Sequence, residues 1–161
     1  MIRLNRTTEY GLMALRYISG KGGAEARASA REIADAYGIP FEITAKTLMR
    51  LKDAGLIASS QGARGGYRIN RSMKEVTLAE FLGIMEGPQF LVTCATELGT
   101  STEAECEYRP RCDIQHVMGE LNGRILGFFS GIRLSELTDP ARVLPSYARA
   151  PAEEMRFGEE P

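Results

Sequence analysis

Three cysteines and a histidine lie close together in the second half of the chain. Cys94, Cys106 and Cys112 are separated by eleven and five residues, and His116 follows Cys112 by four positions. Thiolates are the usual ligands of iron–sulfur clusters, and three of them leave one position for another donor. The absence of a Cys-x-x-Cys pair disfavours a zinc ribbon or a thioredoxin-type site. These residues predict a metal site, and small buried hydrophobes are the alternative interpretation.

The surroundings of these cysteines favour the metal site. The residues between Thr100 and Arg111 are mostly polar or charged, so this segment needs something other than an apolar core to order it. An odd number of cysteines fits a reducing compartment better than a disulfide framework. The sequence contains neither an apolar signal core nor an apolar run of the ~20 residues that a membrane span needs. We therefore expect a cytoplasmic protein without a membrane segment.

The chain is strongly divided in charge. Residues 1–75 carry 13 basic and 7 acidic residues, a balance of +6, whereas residues 76–161 carry 7 and 14, a balance of −7. A basic half suggests a polyanionic partner, although two solvated surfaces of different charge would give the same balance.

The basic half has the pattern of a helix-turn-helix. The spacing of apolar residues predicts a first helix over 5–20, and Ser29 with Glu32 forms a capping box that begins a second helix. Gly38-Ile39-Pro40 ends that helix and begins a third at about Phe41, which Gly55 ends.

A basic hairpin follows the third helix. Two short β-type runs, 56–60 and 67–70, flank a glycine-rich turn that contains Arg64, and a second capping box at Thr77 and Glu80 begins another helix. Helix, turn, helix and hairpin together indicate a winged helix-turn-helix.

This arrangement predicts contacts with double-stranded DNA. The third helix would enter the major groove, and the tip of the hairpin would enter the minor groove. Further basic residues (Lys52, Arg68, Arg71 and Lys74) could contact phosphates. Solvated faces of a protein-interaction module are the alternative. The predicted DNA-binding residues are Glu42, Thr44, Lys46, Arg50, Arg64, Tyr67 and Arg68.

A heptad pattern follows the cysteines. Apolar residues recur at spacings of four and three on a predicted helix of about 113–136. We interpret them as a dimer seam, with an intramolecular core stripe as the alternative. The predicted seam residues are Ile114, Met118, Leu121, Ile125, Phe128 and Ile132.

Several motifs resemble the Rrf-type family of bacterial winged-helix regulators, which includes iron–sulfur and nitric-oxide sensors. They are Tyr10-Gly11-Leu12 in the first helix, Gly38-Ile39-Pro40 at the turn, Leu48-x-x-Leu51-x-x-Ala54-Gly55-Leu56-Ile57, and the wing Gly62-Ala63-Arg64-Gly65-Gly66-Tyr67. The resemblance covers about residues 1–138.

The resemblance implies a homodimer that binds a near-palindromic operator. It also implies one 2Fe–2S or 4Fe–4S cluster per subunit, held by Cys94, Cys106 and Cys112. The fourth ligand would be Glu9 from the partner subunit or, alternatively, His116. The eleven residues between the first two cysteines exceed the spacing of the best-known members.

The fold class predicted is mainly α with a small β-wing: a winged helix-turn-helix with a long C-terminal dimerisation helix. The predicted function is a non-enzymatic, homodimeric repressor whose operator affinity is controlled by an iron–sulfur cluster that senses redox state, nitric oxide or iron–sulfur status. The alternatives are a cluster-free repressor controlled by thiols or a partner, and an iron–sulfur electron-transfer protein. The predicted divisions are 1–75 (DNA-binding domain), 76–90 (connecting helix), 91–112 (cysteine loop), 113–138 (dimerisation helix) and 139–161 (disordered tail).

Overall fold

The computed structural model describes residues 3–23, 26–62, 65–89 and 111–139. These ranges contain six helices and a two-stranded antiparallel sheet, which confirms the predicted fold class. In chain order the elements are α1 (Arg6–Gly20), α2 (Ala30–Tyr37), α3 (Phe41–Asp53), β1 (Ile57–Ser60), β2 (Gly66–Ile69), α4 (Leu78–Glu86), α5 (Gln115–Gly131) and α6 (Leu134–Thr138). In the described ranges, every helix is too short or too polar to cross a membrane.

One hydrophobic core joins five of the helices. Each of its largest side chains is almost completely removed from water, which stabilises the fold by about 1.5–3 kcal/mol per side chain before entropy is subtracted. The core includes Leu15 of α1, Ile33 of α2, Leu48 and Leu51 of α3, Phe81 and Met85 of α4, and Leu134 of α6.

Helix α1 packs closely against α4 through Gly11. A Cβ atom at this position would lie 3.1 Å from Phe81 Cζ and 3.2 Å from Met85 Cε, so glycine allows the two helices to approach. The N-cap of α1 is Asn5, whose Oδ1 accepts a hydrogen bond from the Thr8 amide at 2.8 Å. Its C-cap is Lys21, which follows the last helical residue, Gly20.

The predicted turn between α2 and α3 is confirmed. The Ser29 hydroxyl accepts from the Glu32 amide, and the Glu32 carboxylate accepts from the Ser29 amide at 2.7 Å. Gly38 ends α2 with φ of +64°, a left-handed conformation that favours glycine. Phe41, at the start of α3, is 42% exposed, and its ring contacts the Arg31 guanidinium.

Glu32 makes the stability of α2 dependent on pH. The Lys21 ammonium, followed by the Ser29 amide, lowers the pKa of Glu32 to about 2 from its ordinary value of 4.5. A carboxyl group whose pKa is lower in the folded state stabilises the fold at pH values above its pKa in the unfolded chain. This stabilisation is lost as the pH falls toward 2.

We therefore expect Glu32→Gln to lower the free energy of unfolding by about 0.5 kcal/mol at pH 7, because the Lys21–Glu32 pair is exposed to solvent. The difference from wild type should shrink as pH falls below about 4.5. Urea unfolding followed by circular dichroism at pH 7 and pH 3 measures both values, with Asp35→Asn on the same helix as the control. An equal difference at both pH values would contradict this account.

The wing is an antiparallel pair in which Ile57 lies opposite Ile69 and Ser60 lies opposite Gly66. Ala28, before α2, extends the sheet through two backbone hydrogen bonds with Tyr67, of 2.8 and 2.9 Å. A Cβ atom on Gly66 would lie 2.9 Å from the Ala28 oxygen, so this close approach requires glycine. Arg64, at the predicted tip, lies outside the described residues.

The second predicted capping box forms only in part. The Thr77 hydroxyl accepts from the Glu80 amide at 3.1 Å, as expected at a helix start. The Glu80 carboxylate instead accepts two hydrogen bonds from the Arg71 guanidinium. This contact ties the residues after the wing to the first turn of α4 and raises the pKa of Arg71.

The predicted continuous helix over 113–136 is wrong. Ile132 is extended and separates α5 from α6. Backbone hydrogen bonds to the connector before α4 replace the helical ones: the Leu78 amide donates to Ile132 O at 2.8 Å, and the Leu134 amide donates to Val76 O at 2.9 Å. Since Leu134 is completely buried, α6 belongs to the same core as the DNA-binding domain predicted for 1–75.

Candidate nucleic-acid interface and cysteine segment

Helix α3 has one face in the core and one face in solvent. Leu48 and Leu51 are completely buried, and the opposite side is exposed. We define the outer face of α3 as four of its exposed residues, which the helical repeat places opposite Leu48 and Leu51: Glu42, Lys46, Met49 and Asp53. A helix that shows a mixed polar and apolar face of this kind can contact base edges in a major groove.

Sequence reasoning did not include Met49 among the candidate contacts. Its side chain is 48% exposed, and it lies seven residues after Glu42 and three after Lys46. The helical repeat of 3.6 residues places these three on one side, so the spacing alone could have identified Met49.

Thr44 was predicted to contact DNA, and this prediction is wrong. The residue is 2% exposed, and its Oγ1 donates a hydrogen bond to the Pro40 oxygen at 3.2 Å. Thr44 lies four residues before Leu48, so the helical repeat places it on the buried face. Thr47 is also buried, with its hydroxyl bonded to the Ile43 oxygen at 2.8 Å.

Arg50 has a different environment from the other predicted DNA contacts. It remains exposed, but its Nη1 donates a hydrogen bond to the Met85 oxygen of α4 at 2.6 Å. In this structure the guanidinium is therefore engaged within the protein.

The remaining described candidates lie in β2, in the last turn of α3 and in the connector before α4. Tyr67 is half-buried and pairs through its backbone with Ala28. Arg68 is half-buried, and its Nη1 lies 3.4 Å from the Ile69 oxygen. Lys52 and Lys74 are exposed, whereas Arg71 pairs with Glu80. Lys52 and Lys74 are therefore more accessible to phosphates than Arg71.

Only part of the predicted metal site falls within the described residues. Cys94 and Cys106 lie outside them. Cys112 is a half-buried free thiol, and His116 is exposed in the first turn of α5. Glu9, on α1, is half-buried and forms an ion pair of 3.0 Å with Arg6. Among the described residues, no three metal-binding side chains lie together.

The described donors nevertheless fit an iron-containing cluster. Cys112 offers a half-buried thiol three residues before α5, and His116 offers an exposed imidazole four residues later. Iron–sulfur clusters are held by thiolates, and in one class of cluster imidazoles replace some of them. The remaining thiols would come from Cys94 and Cys106.

Helix α5 carries an exposed apolar stripe. We define the α5 seam as the six predicted positions, of which Ile114 is 56%, Leu121 43% and Phe128 66% exposed. Met118, Ile125 and Ile132 are half-buried. Val117, which the heptad pattern omitted, is 60% exposed beside them. An apolar stripe this exposed is typical of an interaction surface, so the alternative of an intramolecular core stripe is disfavoured.

The profile of the Rrf2 family, described as an iron-dependent transcriptional regulator, matches residues 4–140. The chain belongs to the Rrf2 family. The resemblance seen in the wing and helix-turn-helix motifs is thereby confirmed.

Two relatives of known sequence are similar to this Rrf2 protein over most of its length. It is 27% identical over 125 residues to the HTH-type transcriptional regulator IscR of Photorhabdus laumondii, covering 78% of this chain and 73% of IscR. It is also 27% identical over 136 residues to protein aau3 of Rhizobium meliloti, covering 84% of each chain.

Two solved structures share the fold of this Rrf2 protein. CymR, the global cysteine regulator of B. subtilis, matches with a TM-score of 0.64 at 21% identity, over 86% of this chain and 97% of CymR. IscR of T. potens matches with a TM-score of 0.58 at 19% identity, over 91% and 96% of the two chains. At these identities the likeness concerns the fold.

Family membership makes this Rrf2 protein a transcriptional regulator, a class of protein that acts through DNA. The relatives named for their activity are regulators and not enzymes, which confirms the prediction of a non-enzymatic protein.

Proposed function

We propose that this Rrf2 regulator binds a near-palindromic operator as a homodimer, in the cytoplasm. The observation that carries the proposal is the outer face of α3, which the described part of the chain leaves exposed with Glu42 and Lys46 at its start. The excess of positive charge in residues 1–75 would attract the phosphate backbone. The wing, with Arg64, would contact the adjacent minor groove.

The α5 seam supports the homodimer. Two copies of a heptad stripe can pack against one another, and a twofold dimer presents its two α3 helices to two half-sites of opposite orientation. The exposure of Ile114, Leu121 and Phe128 leaves about half of each of these side chains available for burial between subunits.

We further propose that Cys94, Cys106 and Cys112 hold an iron–sulfur cluster in each subunit, with Glu9 of the partner subunit or His116 as the fourth ligand. A bound cluster would supply an iron with one ligand weaker than thiolate, at which nitric oxide, oxygen or a redox change can act. Repression as the outcome of operator binding is part of the same proposal.

The connections of α5 explain how ligation at Cys112 can reach the DNA-binding face. Cys112 lies three residues before α5, which carries the seam, and the other end of α5 is hydrogen-bonded to the connector before α4 through Ile132 and Leu134. A change of ligation at Cys112 would therefore act on the seam, and thereby on the spacing of the two α3 helices.

A cluster-free, thiol-controlled regulator is the second candidate. Cys112 is a free and partly accessible thiol, and the structural relative CymR is named as a cysteine regulator. Iron and acid-labile sulfide in anaerobically purified protein would support the cluster, and their absence after reconstitution would support thiol control.

Operator binding can be tested without a known target gene. Repeated selection from a random duplex library should enrich an inverted repeat whose half-sites are separated by about one helical turn. Enrichment of a single unrepeated motif would contradict a symmetric dimer, and no enrichment would contradict sequence-specific binding.

Lys46→Ala should weaken binding to the selected operator by about tenfold, because an exposed cation at the start of α3 would lose its contact with a base edge or phosphate. Fluorescence anisotropy at fixed salt measures the affinity. Arg124→Ala, which removes an exposed cation paired with Glu120 on α5, is the control. Equal affinities for Lys46→Ala and wild type would show that α3 does not contact DNA through this face.

A further inference from the structure

The C-terminal end of α4 is hydrogen-bonded to two other helices. From α3, Arg50 Nη1 donates to Met85 O at 2.6 Å. From the start of α1, Thr8 Oγ1 and the Asn5 amide donate to Glu86 Oε1, at 2.6 and 2.9 Å. The end of α4 therefore connects the predicted recognition helix with the helix that carries Glu9.

The Arg50 contact satisfies a specific need of α4. The last carbonyl groups of a helix have no partner within that helix, and the helix dipole makes them attractive to cations. Met85 O is one of these groups, since Met85 is the penultimate residue of α4. A guanidinium that donates to it forms a charge-assisted hydrogen bond, which is stronger and more directional than a neutral one.

This end of α4 has little freedom to move independently. Met85 is 1% exposed, and its Cε lies 3.2 Å from the place a Cβ on Gly11 would occupy. The next residue but one, Gly87, has φ of +85° and ends the helix. Met85 also lies nine positions before Cys94 in the sequence, so the end of α4 is the last described element before the first cysteine.

We propose that Arg50 is a positioning residue, which links α3 to the end of α4, and not a DNA contact. Rigid coupling between two packed helices allows a change at one to alter the equilibrium position of the other. The inference rests on the proposed function, because it gives the route by which the state of the cysteines would alter the position of α3.

The first test compares operator affinity between protein that contains iron and protein freed of metal by a chelator. In wild type the two affinities should differ by about tenfold, and we call this fold-difference the affinity ratio. In Arg50→Gln the two affinities should differ by no more than about threefold. Arg50→Lys keeps a cationic donor and should restore part of the ratio. Lys52→Gln, an exposed neighbour in the last turn of α3, is the matched control and should keep the wild-type ratio.

A direct DNA contact gives a different result. If Arg50 bound a phosphate or a base, Arg50→Gln would weaken binding equally in both states and leave the ratio unchanged. That result, in protein whose unfolding midpoint matches wild type, would overturn the proposal.

The second test uses only metal-free protein, so it separates this inference from the proposed cluster. Saturating operator DNA should slow amide hydrogen exchange of residues 83–89 by about threefold in wild type and in Lys52→Gln, and not in Arg50→Gln. Equal slowing in Arg50→Gln, or none in wild type, would overturn the role of Arg50. Wild-type protein could also bind the operator equally well with and without metal and still show the expected slowing of hydrogen exchange. This combination would contradict control by metal, and Arg50 would remain a positioning residue.

Discussion

Phe128→Glu is expected to make the regulator, which we propose to be a homodimer, monomeric at micromolar concentration. Phe128 is 66% exposed in the subunit and lies in the α5 seam between Ile125 and Ile132, so dimer formation would bury it among apolar side chains. A carboxylate buried there would lose its hydration without gaining a partner, at a cost of several kcal/mol. The dimer would bear this cost twice, once for each subunit.

Loss of the dimer should reduce operator affinity much more than loss of one DNA contact. A monomer contacts a single half-site, and the second half-site no longer adds its binding energy at high effective concentration, so we expect a loss of about 100-fold or more. Sedimentation velocity gives the assembly state, and anisotropy with the selected operator gives the affinity.

Gly123→Glu is the matched control for this prediction. It introduces the same charge into α5 on the side opposite the seam, and a Cβ at Gly123 would meet no atom within 4 Å. The control should remain dimeric and bind the operator. A dimeric Phe128→Glu protein would show that the seam is not the subunit interface.

Cys112→Ser is expected to abolish iron and sulfide binding and the visible absorbance that accompanies them. A serine hydroxyl remains protonated at neutral pH and is a poor ligand for iron, whereas the change removes only one half-buried sulfur from the protein. The fold should persist, with a far-ultraviolet circular dichroism spectrum equal to that of wild type. The adjacent Asp113→Asn exchange, at an exposed position, is the control and should retain the absorbance.

Two further variants identify the fourth ligand. Glu9→Gln should alter the spectrum and hasten cluster loss in air if Glu9 of the partner subunit binds iron, and His116→Ala should do so if His116 is the ligand. Wild-type iron and sulfide content in Cys112→Ser would exclude Cys112 from the site.

Local signals in the sequence predicted much of the fold. The capping box of Ser29 and Glu32, the left-handed Gly38 and the hairpin between β1 and β2 depend on residues close together in the chain, and the structure contains each of them. Such contacts can be identified from spacing alone because no distant partner is required.

Two features that the sequence did not predict depend on distant segments of the chain. The break at Ile132 depends on backbone groups of Val76 and Leu78, which lie more than fifty residues earlier. Likewise, the acceptor of Arg50 lies 35 residues away in α4, so the hydrogen bond to Met85 O could not be predicted from charge and spacing. The helical repeat alone predicts that Thr44 is buried, but its polar side chain suggested a DNA contact.

The candidate site was predicted less completely than the fold. The structure describes the α5 seam, the outer face of α3 and the position of Cys112. The prediction that Cys112 shares a metal site with Cys94 and Cys106 remains a prediction, because Cys94 and Cys106 lie outside the described residues.

Native mass spectrometry of the full chain, purified without oxygen, tests the central proposal most directly, because it reports subunit number and bound iron and sulfide in one spectrum. The account predicts a mass of two chains with one iron–sulfur cluster on each. A single chain without iron or sulfide, persisting after anaerobic reconstitution, would contradict it.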